Sequence, residues 1–105
     1  MNDIETNNQE LFARVLVALD TPDEALAFMR ELCTPQELRI LSQRTGIAEL
    51  LMQGFSQQMI NEMMCDGTEG RRPSTATINR VSAAIKDGDG HLCKMIARAN
   101  GVEGS

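Results

Sequence analysis

Apolar residues recur at helical spacing along most of the chain, and no segment shows the strict alternation of a half-buried strand. The pattern therefore predicts an all-α protein. We find no long repeat and no low-complexity segment. Six helices are predicted, over about residues 11–19, 22–32, 35–53, 56–64, 75–86 and 91–99.

Local signals in the sequence mark several of these helix ends. Thr21–Glu24 and Thr34–Glu37 each place a Thr before a Pro and a Glu three residues after the Thr. The Thr caps free amides, Pro fits the first helical turn, and the Glu closes a capping box. Gly54 suits the left-handed turn after the third helix. Either Ser74 or Thr75 is predicted to cap the fifth.

Two helices carry apolar surface that the pattern alone does not explain. The first reads LFARVLVAL, in which Arg14 alone is polar, so nearly every face of this helix must be covered. On the third helix, six apolar residues fall within an arc of about 140°. Arg44 projects from the middle of that arc, so it needs a partner, a route to solvent or a ligand.

The length suits one compact domain, and the charge is unevenly distributed. The chain has 105 residues and a formal net charge of −5. Residues 71–86 contain four cations and no acid, a net of +4, so the rest of the chain carries −9. A nucleic acid would therefore meet a local cationic patch rather than the whole surface.

Cysteine usage and the first residues predict a cytoplasmic protein. The three cysteines are odd in number and far apart, so we expect free thiols in a reducing compartment. The start, MNDIETNNQE, lacks the basic and apolar order of a signal peptide. No apolar run approaches the roughly 20 residues that span a bilayer, so we expect no membrane partner.

The fifth predicted helix has one apolar edge and one hydrogen-bonding edge. The apolar edge consists of Ile78, Val81 and Ile85. The polar edge consists of Thr75, Asn79, Ser82 and Lys86. Asn can pair bidentately with adenine, and Thr or Ala methyl groups can contact the thymine methyl, so this edge suits major-groove reading. A solvated amphipathic helix without any ligand would show the same periodicity.

The segments FSQQMINEMM at 55–64 and STATINRV at 74–81 resemble the two helices of the helix-turn-helix in the Trp repressor family, particularly its tryptophan-independent members. The preceding segments LCTPQEL at 32–38, SQR at 42–44 and IAELLMQG at 47–54 resemble the family's central helix. The resemblance implies an all-helical, intertwined homodimer with two reading heads for a two-fold symmetric operator on double-stranded DNA.

The resemblance also implies how the chain is organised. Residues 1–105 would form a single Trp-repressor-like domain. Its dimerisation helices would occupy about residues 7–53, its helix-turn-helix about 56–86, and a C-terminal helix or tail 91–105. A dimer whose N-terminal helices cross into the partner subunit would cover the nearly all-apolar first helix.

The resemblance assigns DNA contacts to both helices of the pair. Base edges would be faced by Thr75, Ala76 and Asn79. The backbone would be approached by Ser56, Gln57, Gln58 and Asn61, and Ser74 belongs to the same DNA-contacting set. Phosphates would be held by Arg71, Arg72, Arg80 and Lys86. The segment 65–73 is longer than the family's turn. It would either move the two helices of the helix-turn-helix apart or contribute additional phosphate contacts.

Part of the family's tryptophan pocket is present. The matching residues are Thr34, Arg44, Thr77 and Arg80. Where tryptophan-binding members have Gly, however, this chain has Val81, which would fill the slot, and Ala84 replaces a Ser whose hydroxyl contacts the ligand. We therefore predict no tryptophan binding and no cofactor. Exposure or an ion pair for Arg44, and a phosphate contact for Arg80, are the structural alternatives to a ligand pocket.

Metal binding and catalysis are not predicted. Cys65, His91 and Cys93 lack the close-paired spacing of a zinc site, and no fourth ligand is evident. The DGDG segment at 87–90 is too short for a calcium loop and lacks the distal Glu, so it is interpreted as a helix terminator. One His without a nucleophile or a carboxylate pair forms no catalytic arrangement, so we expect no enzyme.

The sequence thus predicts a sequence-specific DNA-binding transcriptional regulator, a repressor, that reads the major groove with helix 75–86. Two alternatives stay open. One is a helical dimeric protein-interaction module without DNA affinity. The other is a repressor gated by a small ligand other than tryptophan.

Overall fold

The computed structural model describes residues 3–64 and 74–101, and all regular structure in these ranges is α-helical, which confirms the predicted fold class. The helices are α1 Asp3–Ala18, α2 Pro22–Leu32, α3 Pro35–Met52, α4 Gln57–Met63, α5 Thr75–Asp87 and α6 His91–Ala99. None of these helices combines the length and the apolar character needed to cross a bilayer. The predicted loop 65–73, with Cys65, lies outside the described residues.

The first helix begins earlier than the apolar pattern predicts. The apolar run starts at Leu11, whereas α1 starts at Asp3 and includes the polar segment between them. No Pro or Gly interrupts this segment. Asp3 and Glu5 lie in the first turn, where negative charge interacts favourably with the helix dipole. Apolar periodicity therefore predicted the presence of this helix but not its beginning.

Both Thr-Pro signals begin helices, as predicted. Thr21 Oγ1 accepts a hydrogen bond from the Glu24 amide at 3.1 Å, and Thr34 Oγ1 accepts one from the Glu37 amide at 3.1 Å. The return bonds differ. The Thr34 amide donates to Glu37 at 2.8 Å, which completes the capping box. Glu24 instead accepts from the Asp20 amide at 2.7 Å, one residue before the cap.

The third helix ends at a glycine turn, also as predicted. Gly54 has a φ of 97°, a left-handed conformation that side-chain-bearing residues rarely adopt. The Gly54 amide donates to the Leu51 carbonyl at 3.0 Å, and the Phe55 amide donates to the Leu50 carbonyl at 3.2 Å. These bonds satisfy carbonyls at the helix end and place Phe55 against the core.

The chain divides into two compact units, Met1–Leu38 and Arg39–Ser105. The first contains α1, α2 and the first residues of α3, and none of its described side chains is fully buried. The second contains the rest of α3 together with α4, α5 and α6. Its buried apolar core consists of Ile47, Ala48, Ile60, Ile78, Val81 and Ile96.

The apolar residues of α6 are only partly buried. Ile96 is buried, whereas Leu92 and Met95 are exposed. α6 packs against α5, and Met95 lies about 100° from Ile96 around the helix, so a single packing contact cannot cover both residues. Cys33 and Cys93 are half-buried free thiols.

The end of α6 is held in place by a side-chain contact. Asn100, directly after the last residue of α6, donates from Nδ2 to Glu49 Oε2 on α3 at 2.7 Å. Its backbone amide also donates to the Ile96 carbonyl at 3.0 Å. This hydrogen bond therefore links α3 to the end of α6, in addition to the apolar core that the two helices share.

Candidate nucleic-acid interface

Serine caps fix the beginnings of α4 and α5. Ser56 Oγ accepts a hydrogen bond from the Met59 amide at 3.1 Å. Ser74 Oγ accepts from the Thr77 amide at 3.1 Å and lies 3.0 Å from Thr77 Oγ1. Ser74 rather than Thr75 is therefore the cap of α5. Because the Ser74 and Thr77 hydroxyls bond to each other, both are engaged in forming the helix start.

α4 and α5 pack against each other through the core of the second unit. Ile60 of α4 and Ile78 of α5 belong to the same buried cluster, which also contains Val81. Burying a side chain of this size contributes about 1.5–3 kcal/mol. The core thereby orients the opposite face of α5 toward solvent.

The solvent-facing side of α5 carries polar and cationic side chains. The exposed residues of this helix include Thr75, Ala76, Asn79, Arg80 and Lys86. Between Ser74 and Lys86 the sequence contains no carboxylate. The first turns of this face can therefore donate hydrogen bonds, accept them and attract phosphate without a carboxylate on the same helix nearby.

Two residues of α5 differ from the sequence prediction. Ser82, assigned to the polar edge, is buried with 9% of its surface exposed. It lies only about 40° around the helix from buried Ile78, so it is on the border of the apolar edge. Asp87 forms the last residue of α5 rather than the start of the terminator. It lies about 18 Å along the axis from Thr75, so its charge is remote from the helix start.

A cleft of about 200 Å³ lies between α4 and the first turns of α5. It is lined by Gln57, Gln58, Asn61, Thr75 and Ile78. Gln57, Gln58 and Thr75 are exposed, whereas Asn61 is half-buried and its Oδ1 atom is covered. Among the described residues no donor reaches this oxygen. The sequence placed Asn61 in the DNA-contacting set but gave no signal of this unpaired acceptor, which depends on the packing of two helices.

The predicted phosphate-binding cations fall into two groups. Arg80 and Lys86 are exposed on α5. Arg71 and Arg72 lie outside the described residues. The structure therefore gives positions for two of the four cations, and both are on the helix that carries the exposed polar face.

Three of the four residues matching a tryptophan pocket have a local role or exposure of their own. Arg44 is exposed. Of the possibilities considered for this charge on the apolar arc of α3, the structure therefore shows access to solvent. Thr34 caps α3 and Thr77 bonds to Ser74. Val81, predicted to fill the indole slot, is buried in the core with 4% of its surface exposed.

Residues considered as metal ligands form no cluster in the described part of the chain. No group of three His, Cys, Asp or Glu side chains there is arranged to hold a metal ion. His91 is exposed at the first position of α6, and Cys93 is half-buried two residues later. Cys65, the third residue of the zinc hypothesis, lies in the segment that is not described.

A short capped helix packed against a second helix that exposes a cationic, hydrogen-bonding face is typical of helix-turn-helix DNA-binding proteins. The sequence model described as Trp repressor protein matches residues 7–100. The chain therefore belongs to the Trp repressor family, a family of regulatory DNA-binding proteins, and the resemblance in its sequence is confirmed.

Two solved structures are similar over nearly the whole chain. One is a TrpR-like protein from Eubacterium eligens, with a TM-score of 0.78 and 28% identity over 99% of this chain and 100% of that one. Another is a candidate Trp repressor from Staphylococcus aureus, with a TM-score of 0.72 and 29% identity over 100% of this chain and 99% of that one. A search of curated proteins finds no match.

Proposed function

We propose that this chain is a sequence-specific regulator of transcription, a repressor, that binds double-stranded DNA and reads the major groove with α5. The observation that carries the proposal is the exposed face of α5, where Thr75, Ala76 and Asn79 accompany two cations and no carboxylate precedes Asp87 at the last position of the helix. In helix-turn-helix proteins the N-terminal residues of the second helix contact base edges. Thr75 and Ala76 occupy the first two positions of α5.

The proposed contacts divide into base reading and backbone positioning. Thr75, Ala76 and Asn79 face base edges through a hydroxyl, methyl groups and an amide. Backbone positioning is assigned to Gln57, Gln58, Arg71, Arg72, Arg80 and Lys86. Ser74 shapes the site as the cap of α5, because its hydroxyl already bonds to Thr77.

We further propose that the chain acts as a single domain within a homodimer. The support is the large apolar surface of α1, on which Val17 is 84% exposed and Leu11 is 53% exposed. Contiguous exposed apolar surface of this kind marks an interaction site. Residues 7–53 would supply the dimer contacts, 56–86 the DNA contacts, and 91–105 a C-terminal extension. A two-fold dimer presents two copies of α5 to a two-fold operator.

The proposed repressor works without tryptophan. Val81, buried in the core, occupies the position where an indole slot requires Gly, and the Thr77 hydroxyl bonds to Ser74. Arg80 is free to hold a phosphate on the exposed side of α5. We therefore propose that Arg44 is exposed to solvent and that Arg80 contacts DNA, so that neither arginine binds a small-molecule ligand.

Selection of bound sequences from random duplexes tests the proposal directly. We expect a two-fold symmetric consensus, with half-sites about one helical turn apart. Binding to the selected duplex should weaken steeply as salt increases, because each neutralised phosphate releases counterions. Arg80→Ala should weaken binding to all sequences similarly and reduce the salt slope by about 1 for each bound subunit.

Arg98→Ala is the matched control, because Arg98 is an exposed arginine on α6, outside the segments proposed for the DNA and dimer contacts. Its salt slope should equal that of the unmodified protein. Absence of any consensus, with equal salt slopes for all three proteins, would overturn the proposal. That result would favour a helical protein-interaction module.

A further inference from the structure

The cleft between α4 and α5 places Asn61 beside the start of the proposed reading helix. Asn61 and Thr75 line the same cleft, and Thr75 is the first residue of α5. The first residues of such a helix approach base edges in the major groove. Asn61 is therefore close to the level of the bases, although it belongs to the first helix of the pair, for which only backbone contacts are proposed above.

The amide of Asn61 is also uncommitted. Its Oδ1 atom is covered from solvent and has no hydrogen-bond donor among the described residues. Such an acceptor has lost its water without gaining a partner, which is unfavourable in the free protein. By contrast, the Ser56, Ser74 and Thr77 hydroxyls on the same helix pair are held by local bonds.

We propose that Asn61 is a base-reading residue that determines specificity for adenine, an inference that rests on the proposed function and adds a residue to it. The side-chain amide has one acceptor and one donor, which match the N6 amino group and the N7 atom of adenine. Thymine, cytosine and guanine do not present this pair of groups at a single base edge in the major groove.

We assign the base contact to Asn61 rather than to the other amides of the cleft because its Oδ1 atom is already shielded from water. Gln57 and Gln58 are exposed, so a base contact would replace hydrogen bonds that they already make with water. The covered Oδ1 of Asn61 loses no water on pairing. Pairing with a base requires the side chain to turn this oxygen toward the cleft that Asn61 lines, and Oδ1 gives up no hydrogen bond within the described part of the protein when it does so. The side chain also has fewer rotatable bonds to order than glutamine.

The test uses the full-length protein and the duplex selected in the random-sequence experiment. Each adenine is replaced in turn by 7-deazaadenine, which lacks N7, or by purine, which lacks the N6 amino group. At one adenine in each half-site, both replacements should weaken binding of the unmodified protein about tenfold. Asn61→Ala should bind the original duplex equally weakly, and neither replacement at that adenine should weaken it further.

Gln58→Ala is the control for a second amide in the same cleft, and it should remain sensitive to both replacements at that adenine. Asn61→Leu, of similar volume, repeats the test if the alanine variant fails to fold. The inference is overturned if both Asn61 variants stay as sensitive as the unmodified protein at every adenine, which would leave the proposed function standing. An unmodified protein that selects no consensus would defeat the proposed function and this inference together.

Discussion

Ser74 has a structural role that a substitution can separate from its proximity to DNA. Ser74→Ala removes the acceptor for the Thr77 amide and should lower the free energy of unfolding by about 1 kcal/mol. Ser74→Asp keeps a capping oxygen and should retain the stability. Its negative charge, however, lies where the proposed DNA phosphates approach, so its affinity for DNA should fall. Urea unfolding and duplex titration measure the two effects separately.

Ser56→Ala is the matching change at the start of α4, where the same cap geometry occurs. It should cost a similar free energy of unfolding. If Ser74→Asp bound the selected duplex as tightly as the unmodified protein at low salt, the beginning of α5 would not approach DNA. The reading-helix assignment would then be wrong.

Tryptophan should leave the stability of the protein unchanged. A ligand that binds only the native state raises the apparent stability by about 2.7 kcal/mol at a hundred times its Kd. Because Val81 fills part of the core, we expect no shift of Tm with tryptophan at millimolar concentration. Thermal unfolding with a panel of amino acids measures this, and a shift with tryptophan would contradict the prediction. A shift with another member would instead support a ligand-gated repressor.

At the scale of single residues, the sequence predicted the roles of side chains that contact near neighbours in the chain. It missed the surroundings of side chains whose contacts depend on how the helices pack. The caps at Thr21 and Thr34 involve neighbours within four residues, so the sequence contains the whole motif. Ser82 is buried because α5 packs with a particular rotation, which periodicity gives only approximately. The covered oxygen of Asn61 likewise depends on how two helices meet.

At the scale of elements, two glycines associated with α3 should respond oppositely to alanine. Gly46 lies within the helix, and a Cβ there would meet Met64 Cε at 3.5 Å, an ordinary contact. Gly46→Ala should therefore stabilise the protein by up to about 1 kcal/mol. Gly54→Ala forces a side chain into a φ of 97° and should destabilise it by about 1 kcal/mol or more.

Chemical denaturation of the two alanine variants under identical conditions checks this pair, with the unmodified protein as reference. A stability loss in Gly46→Ala would show that the contact with Met64 is tighter than the structure indicates. An unchanged stability in Gly54→Ala would show that the turn after α3 readily adopts another conformation. Either result would contradict the assigned helix end or interior.

The helices themselves show what a pattern can and cannot predict. α2, α3 and α5 begin at the predicted caps because those signals are short and local. α1 begins at Asp3 because nothing in the polar segment breaks a helix, and apolar periodicity does not register such a segment. On α6, Ile96 is buried whereas Leu92 and Met95 are exposed, because a stripe of apolar residues does not by itself fix how much of it a neighbouring helix covers.

At the scale of the whole molecule, charge and apolar surface are separated along the chain. The cationic run lies in residues 71–86, while the remaining residues carry −9. Among the large apolar side chains in the described ranges, Val17 and Ile4 have the largest exposed fractions, and both are on α1. The sequence predicted the uneven charge and the apolar character of residues 11–19, because composition along the chain fixes both, but it did not place Ile4 in this helix. It could not supply the relative placement of two reading helices, which depends on a second subunit.

The exposed surface of α1 leads to a prediction about assembly. Val17→Glu places a charge on an apolar surface, and burying an unpaired carboxylate in a dimer interface is strongly unfavourable. We expect the variant to become monomeric at micromolar concentration, as measured by sedimentation equilibrium. Its apparent Tm should fall, because dimerisation no longer stabilises the native state.

His91→Glu adds the same charge at an exposed position in the first turn of α6, outside the segment proposed for the dimer contacts, where a negative charge is compatible with the helix dipole. This control should keep the oligomeric state of the unmodified protein. A monomeric Val17→Glu should also lose most of its affinity for the two-fold duplex while retaining weak, salt-dependent binding to a half-site, because each subunit still carries α5. If Val17→Glu remained dimeric with unchanged Tm, the apolar surface at Val17 would not form the dimer contact. The two copies of α5 would then have to be joined through another surface.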